Sequence, residues 1–265
     1  MPAPEYEVYA LRYAHAPQSA IRHFLLPNAH DGPKPMDFYV WAIRGGGRTI
    51  VVDTGFKAAV AQRRRPDWRL LDSPDKALAR IDIDAATATD VVLSHLDWDH
   101  SGNTDLFPKA AFHVQDEEVA FRTGRHMTHQ FFAARAEIDD VIATVRNVYA
   151  GRVRFHDGTS EIAPGVTLHL VGGHTAGMQI VRVPTARGWV VLASDAAHYW
   201  ANFRERHPFP LLLDVGKMLE GFRLMAELAD SPDHIIPGHD PEVVERFPAL
   251  PGHPDIVRLH AKPAG

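Results

Sequence analysis

The stretch Asp90-Val91-Val92-Leu93-Ser94-His95-Leu96-Asp97-Trp98-Asp99-His100 constrains this chain more than any other. Its first half is an apolar run of the length a buried strand takes. Its second half sets His95, Asp97, Asp99 and His100 within six residues, where that strand must end. Burying such groups is costly unless each is paired or ligated, and imidazole with carboxylate suits zinc, manganese or iron. A divalent metal is the expected partner of this stretch.

Strand-rich segments alternate with helices along the rest of the chain, which predicts a layered α/β domain. A short strand is expected over 6–13. The segments 38–43 and 49–53, joined by Arg44-Gly45-Gly46-Gly47-Arg48, predict a hairpin. Residues 14–37 read as a long irregular loop, and loops of that length commonly serve a site. Helices are expected over 58–65, 75–81 and 212–229, with two or three across 115–149. Further strands are expected over 165–171, 180–183, 189–193 and 234–236. The expected organisation is a single domain over residues 1–265, with a loose, proline-rich extension from about residue 248.

Composition removes several function classes. The chain has no cysteine, which excludes disulfides, thiol nucleophiles and Cys-based metal sites. A net charge of −5 offers no general attraction to nucleic acid or an anionic membrane. The one basic run, Arg63-Arg64-Arg65, reads as a solvated helix end. No apolar stretch approaches the ~20 residues that span a bilayer. The opening residues lack a basic segment followed by an apolar one, so the cytoplasm is the expected compartment.

Three further groups with metal-binding side chains each follow an expected strand beside a turn: Gly172-Gly173-His174-Thr175, Ser194-Asp195-Ala196-Ala197-His198 and Pro237-Gly238-His239-Asp240. Gly173 and Gly238 let the backbone turn sharply just before a histidine. Each group alone is a weak signal, and Asp195 alone would serve equally as a helix cap. Asp53, in Val52-Asp53-Thr54-Gly55, is expected to stabilise its own turn.

Taken together, these segments resemble the metallo-β-lactamase superfamily. His95-x-Asp97-x-Asp99-His100 is similar to its His-x-His-x-Asp-His signature, and Gly-His-Thr, Ser-Asp-Ala and Pro-Gly-His-Asp follow in its order and spacing over residues 37–245. The segments 173–179, 193–199 and 237–241 are most similar to the N-acyl homoserine lactonase-like branch. The resemblance implies an α/β fold, the αββα four-layer sandwich. It implies two divalent metal ions, zinc first, with manganese or iron as alternatives. His95, Asp97 and His174 would hold one ion, and Asp99, His100 and His239 the other. Asp195 would bridge them, as would a water or hydroxide acting as nucleophile. The implied substrate is a small lactone, with thioesters, amides and phosphoesters as alternatives; no nucleic acid or membrane partner is implied, and a homodimer stays open. The lack of cysteine disfavours the β-lactamase types that use it as a ligand, and the lack of a flavin-binding segment disfavours an iron redox centre.

The chain departs from that pattern twice. Asp97 stands where the signature has histidine: as a ligand it adds a negative charge and makes the centre less able to polarise a carbonyl, and the alternative is that it swings away and leaves the first site weak or empty. His198 stands where lactonases of this branch commonly place tyrosine, which makes His198 a candidate hydrogen-bond donor or general acid, with Tyr199 beside it as a second candidate. Asp99 is the candidate for assisting the leaving alkoxide. Trp98, Tyr199, Trp200, Phe203 and Phe209 are candidates for an apolar substrate wall, though core packing is the default for each. Arg204 or Arg206 is a candidate for a substrate carboxylate, against a surface default.

Overall fold

The expected hairpin forms the middle of the larger of two sheets in the computed structural model, which describes residues 4–28 and 30–263. In chain order the elements are β1 (Glu7–Ala16), β2 (Met36–Gly45), β3 (Arg48–Val52), α1 (Ala58–Arg64), β4 (Arg69–Leu70), α2 (Pro74–Ala79), β5 (Asp90–Val92), β6 (Ala111–Gln115), α3 (Asp116–Thr123), α4 (Gln130–Ala133), α5 (Ile138–Tyr149) and β7 (Val153–His156). There follow β8 (Thr159–Ala163), β9 (Val166–Leu170), β10 (Gln179–Thr185), β11 (Gly188–Ser194), α6 (Trp200–Arg204), α7 (Val215–Leu228), β12 (Ile235–Pro237), α8 (Glu242–Arg246), β13 (Ala249–Leu250) and β14 (His253–Arg258). The larger sheet runs β13-β14-β1-β2-β3-β5-β6-β7, with β4 paired to β1, and the smaller runs β12-β11-β10-β9-β8. Two sheets flanked by helices make the expected αββα sandwich.

Alternation along β1 and β2 shows how the layers are made. Val8 and Ala10 with Tyr39, Trp41 and Ile43 share one core with Ile180, Val183 and Val191 of the smaller sheet. The intervening Tyr9, Leu11, Phe38, Val40 and Ala42 join a second core with Val60 of α1 and Leu78 of α2. A strand buried on both faces reads as a nearly continuous apolar run, as β2 does, and each large side chain so buried contributes about 1.5–3 kcal/mol. Helix α7 starts at Val215 rather than 212 because the Asp214 carboxylate accepts the Lys217 N–H at 3.0 Å and caps it.

The C-terminal segment is not loose. β14 pairs antiparallel with β1, Tyr9 opposite Arg258 and Leu11 opposite Ile256, and Ile256, Val257 and Leu259 are buried. Prolines at 248, 251 and 254 hid a short edge hairpin; the final two residues of the expected extension, like Ala29 of the expected loop, lie outside the described residues. Strands β6, β7 and β8 form where no strand is expected, because polar and charged residues interrupt their apolar pattern. No helix of the described residues is long and apolar enough to cross a membrane.

Topology gathers the site. β3 and β5 are parallel, as are β11 and β12, while β9 and β11 both run antiparallel to β10. The segments leaving β3, β5, β9, β11 and β12 carry Asp53, His95–His100, His174, Asp195–His198 and His239 respectively.

Candidate metal centre

Four overlapping triads of donor side chains result: His95/His100/Asp195, His95/Asp97/His174, Asp99/His100/His239 and His174/Asp195/His198, each with donor atoms within 4.8 Å of one another. Asp195 Oδ1 lies 3.2 Å from His100 Nε2 and 2.9 Å from His239 Nε2. Its Oδ2 lies 3.4 Å from His174 Nε2 and 3.9 Å from His95 Nε2. Asp97 Oδ2 is 3.3 Å from His174 Nε2, and Asp99 Oδ2 is 3.8 Å from His100 Nε2. Ligands of a tetrahedral ion at ~2.0–2.1 Å lie about 3.3 Å apart, so the spacing fits.

The hydrogen-bond pattern makes the stronger case. Nε2 of His95, His100 and His239 and Oδ1 of Asp195 are buried without a hydrogen-bond partner. Buried polar atoms left so mark sites meant for something else. Each ring is also aimed from behind. His239 Nδ1–H donates to the Asp37 carbonyl at 2.9 Å, and His100 Nδ1 pairs with Asp53 Oδ2 at 2.8 Å. His95 Nδ1 meets Ser94 Oγ at 3.0 Å, whose own proton goes to Asp53 at 2.8 Å. Each lone pair is thereby left on Nε2, the arrangement metal-binding histidines use.

Two glycines are required by packing. Gly173 has φ +86°, and a Cβ there would meet the backbone of Met218 at 2.7 Å. Gly238 was expected to turn sharply; instead it gives close approach, since a Cβ there would lie 2.6 Å from the Ser194 carbonyl oxygen.

Charge divides the cluster. Burial holds His95 and His174 neutral, well below the usual imidazole range, helped by His100 near the first and Arg135 near the second. Burial also works against charge on His100 and His239, but Asp195 outweighs it and raises both. Burial lowers His198 to about 3 despite the Asp195 carboxylate.

The structure brings together every residue expected at the metal: His95, Asp97, Asp99, His100, His174, Asp195 and His239. His198 lines the adjoining cavity, stacked on Phe209 at 3.6 Å, with Nε2 3.0 Å from Asp195 Oδ2. Tyr199 does not reach it. Its ring is buried in the second core and its hydroxyl donates to the Pro35 carbonyl at 2.9 Å, because the chain turns into α6 at this residue. Of the expected aromatic wall, Trp98 faces the cavity, stacked on Trp68 at 5.2 Å, while Trp200, Phe203 and Phe209 pack in the core. Arg204 pairs with Asp233. Arg63 and Arg64 are not merely solvated: both bond Glu137, and Arg64 also donates to the Ala134 and Ala136 carbonyls.

Three residues carry more of the site than their sequence context suggested. Asp53, φ +62°, does more than hold its turn: it also accepts the Ser94 amide at 2.7 Å and the Ser194 hydroxyl at 3.1 Å, joining the His95–His100 segment to the Asp195 segment. Glu118, buried in α3, accepts the amides of Leu96 at 2.9 Å and Gly177 at 3.1 Å. Arg135 donates Nε–H to Asp97 Oδ2 at 3.0 Å. An acid in a helix and an arginine among alanines carry no local signal.

A profile of the metallo-beta-lactamase superfamily matches residues 38–239. The chain belongs to this superfamily. Members similar to it include the N-acyl homoserine lactonase AttM of Azorhizobium caulinodans, 27% identical over 251 residues, covering 86% of this chain and 90% of that protein. The same superfamily fold occurs in a B. thuringiensis AiiA variant with N-decanoyl-L-homoserine bound at its active site (TM-score 0.76, 19% identity, 95% of this chain and 99% of that one). It occurs again in AidC, a dizinc quorum-quenching lactonase (TM-score 0.68, 15% identity, 91% and 90%).

Proposed function

We propose that this metal-dependent hydrolase opens a small lactone, with zinc ions held by His95, Asp97, His174, Asp99, His100, His239 and the shared Asp195. The observation that carries the reading is that Asp97, Asp99, His174, Asp195 and His239 of the donor cluster line a cavity of about 420 Å3. Met36, Trp68, Trp98, Phe131 and Leu211 line its walls, with Gln18 and Arg22 of the 17–35 loop at one side. That size and apolar lining suit a small ester with a hydrocarbon substituent. The names of the relatives, lactonases including a dizinc one, support the substrate class and the metal.

Bound zinc supplies polarisation of the ester carbonyl and an acidified water. The chain's own groups do the rest. Trp68 and Trp98 exclude bulk water from the ester. His198, kept neutral, donates its Nε2–H to Asp195 at 3.0 Å and so steadies the shared carboxylate, leaving Nδ1 as an acceptor toward the cavity. Asp99, the most accessible ligand carboxylate at 14% side-chain exposure, is placed to pass a proton to the leaving alkoxide. Water adds across the acyl carbon–oxygen bond, that bond breaks, and a hydroxy-carboxylate leaves. Protein reconstituted with zinc and offered acyl homoserine lactones, other lactones, thioesters and phosphodiesters should turn over lactones fastest. Turnover of a thioester or phosphodiester with none of any lactone would overturn the reading.

A further inference from the structure

The surroundings of Asp97 hold a buried charge cluster that the reaction above does not use. Arg122 Nη2 pairs with Asp97 Oδ1, and Arg135 Nε donates to Asp97 Oδ2 at 3.0 Å. Arg122 is held in turn by Glu118, Nε to Oε1 at 3.3 Å. The negative charge that Asp97 brings is therefore met by two guanidinium groups. Arg135 reaches further: its Nη2 lies 2.7 Å from His174 Nε2 and 3.3 Å from the His174 carbonyl oxygen.

The protonation of His174 follows from its other contact. Nδ1 lies 2.6 Å from the Leu211 carbonyl oxygen, which only accepts, so Nδ1 carries the proton and Nε2 the ring's single lone pair. An N–H of Arg135 occupies that lone pair. A metal ion needs the same lone pair, and a cation there would also face a guanidinium at close range with little water between them. Across Asp195, His100 and His239 carry no such partner on Nε2.

We propose that Arg135 is a built-in competitor for the first metal position. It makes the halves of the centre unequal: the Asp99/His100/His239 half fills first. The His95/Asp97/His174 half fills only when the guanidinium leaves His174. The proposal rests on the reading of the cluster as a metal centre.

Chelator-stripped protein titrated with Zn2+ against a competing chelator tests it, together with anomalous diffraction at the zinc edge from crystals given one equivalent. The wild type should bind in two steps separated about 10-fold or more, as a charge-assisted hydrogen bond to be displaced implies, with the first equivalent between His100 and His239. In Arg135→Met the weaker step should tighten about 10- to 100-fold while the tighter step holds, and Arg135→Lys should fall between. Equal affinities in the wild type, first occupancy between His95 and His174, or an unmoved weaker step in Arg135→Met would each overturn the proposal while leaving the metal centre standing. No zinc in either half would overturn both. Should Arg135→Met not fold, wild-type occupancy at one equivalent decides alone.

Discussion

His100 and His239 turn their Nε2 atoms on one oxygen of Asp195, at 3.2 and 2.9 Å, with no hydrogen-bond partner for either. On the other oxygen of the same carboxylate the arrangement differs: His174 already accepts from Arg135, Asp97 is flanked by two arginines, and His198 approaches at 3.0 Å. The same residue types thus make one half that awaits a cation and one half partly satisfied by the protein's own cations. The difference lies in front of the donors, since rings of both halves are held from behind, His95 by Ser94 and His174 by the Leu211 carbonyl. Asp53 and the Asp37 carbonyl orient the first pair from outside the site, whereas Arg135 enters the second from within.

The largest effect that would break this comparison is expected from the open half. His239→Ala should lower lactone kcat/KM by about 10^3-fold or more and abolish the tighter zinc step; a loss under about tenfold would mean the open half is not the working one. Next comes Asp53→Asn, which keeps the shape but weakens the carboxylate behind His100. Zinc affinity at the tighter step should fall about 10- to 100-fold, and a fall confined to the weaker step would reverse the assignment of the halves. Metal removal sharpens the contrast further. Stripping zinc should lower Tm, and at ligand concentrations ~100-fold above Kd the first equivalent should restore about 2.7 kcal/mol of stability. The second should restore clearly less, as calorimetry with stepwise addition would read.

The smallest effect is expected outside both halves, at Asp140 on α5, just beyond the segment that carries Arg135. Burial raises its carboxyl to about 6 against the pull of Lys57 at 3.4 Å. A folded-state value above the unfolded one means the contribution is present below about pH 4 and lost as pH rises through about 6. Asp140→Asn should therefore flatten that part of the Tm–pH profile and stabilise the protein by about 1–2 kcal/mol at pH 7.5. Both zinc steps should stay where they are; movement of the weaker one alone would tie α5 to the arginine-held half.

Much of the fold was legible because its signals are local. The β2–β3 hairpin announces itself through alternation and a triple glycine, and β5 through an apolar run that ends at the ligands. Strands β14 and β6–β8 were illegible for the opposite reason: their pairing partners, not their own residues, make them strands. Tyr199 shows the same limit at one side chain. Adjacency to His198 suggested the site, yet one residue further along the chain the side chain faces the other way, into the core.

The sequence by itself determined which residues gather at the centre, since a ligand at the end of a strand needs only its own segment's turn to be placed. It also marked Asp97 as the departure from the family's pattern. Only the tertiary structure decided what that departure means. Asp97, Glu118, Arg122 and Arg135 span α3, α4's downstream segment and the loop after β5, and nothing in any one segment predicts that they meet. Counted on ligands alone, Asp97 makes the centre less positive. With two guanidinium groups beside it, that charge is answered by the protein, because charge balance in a buried site is set by everything within a few ångströms, whatever its distance along the chain.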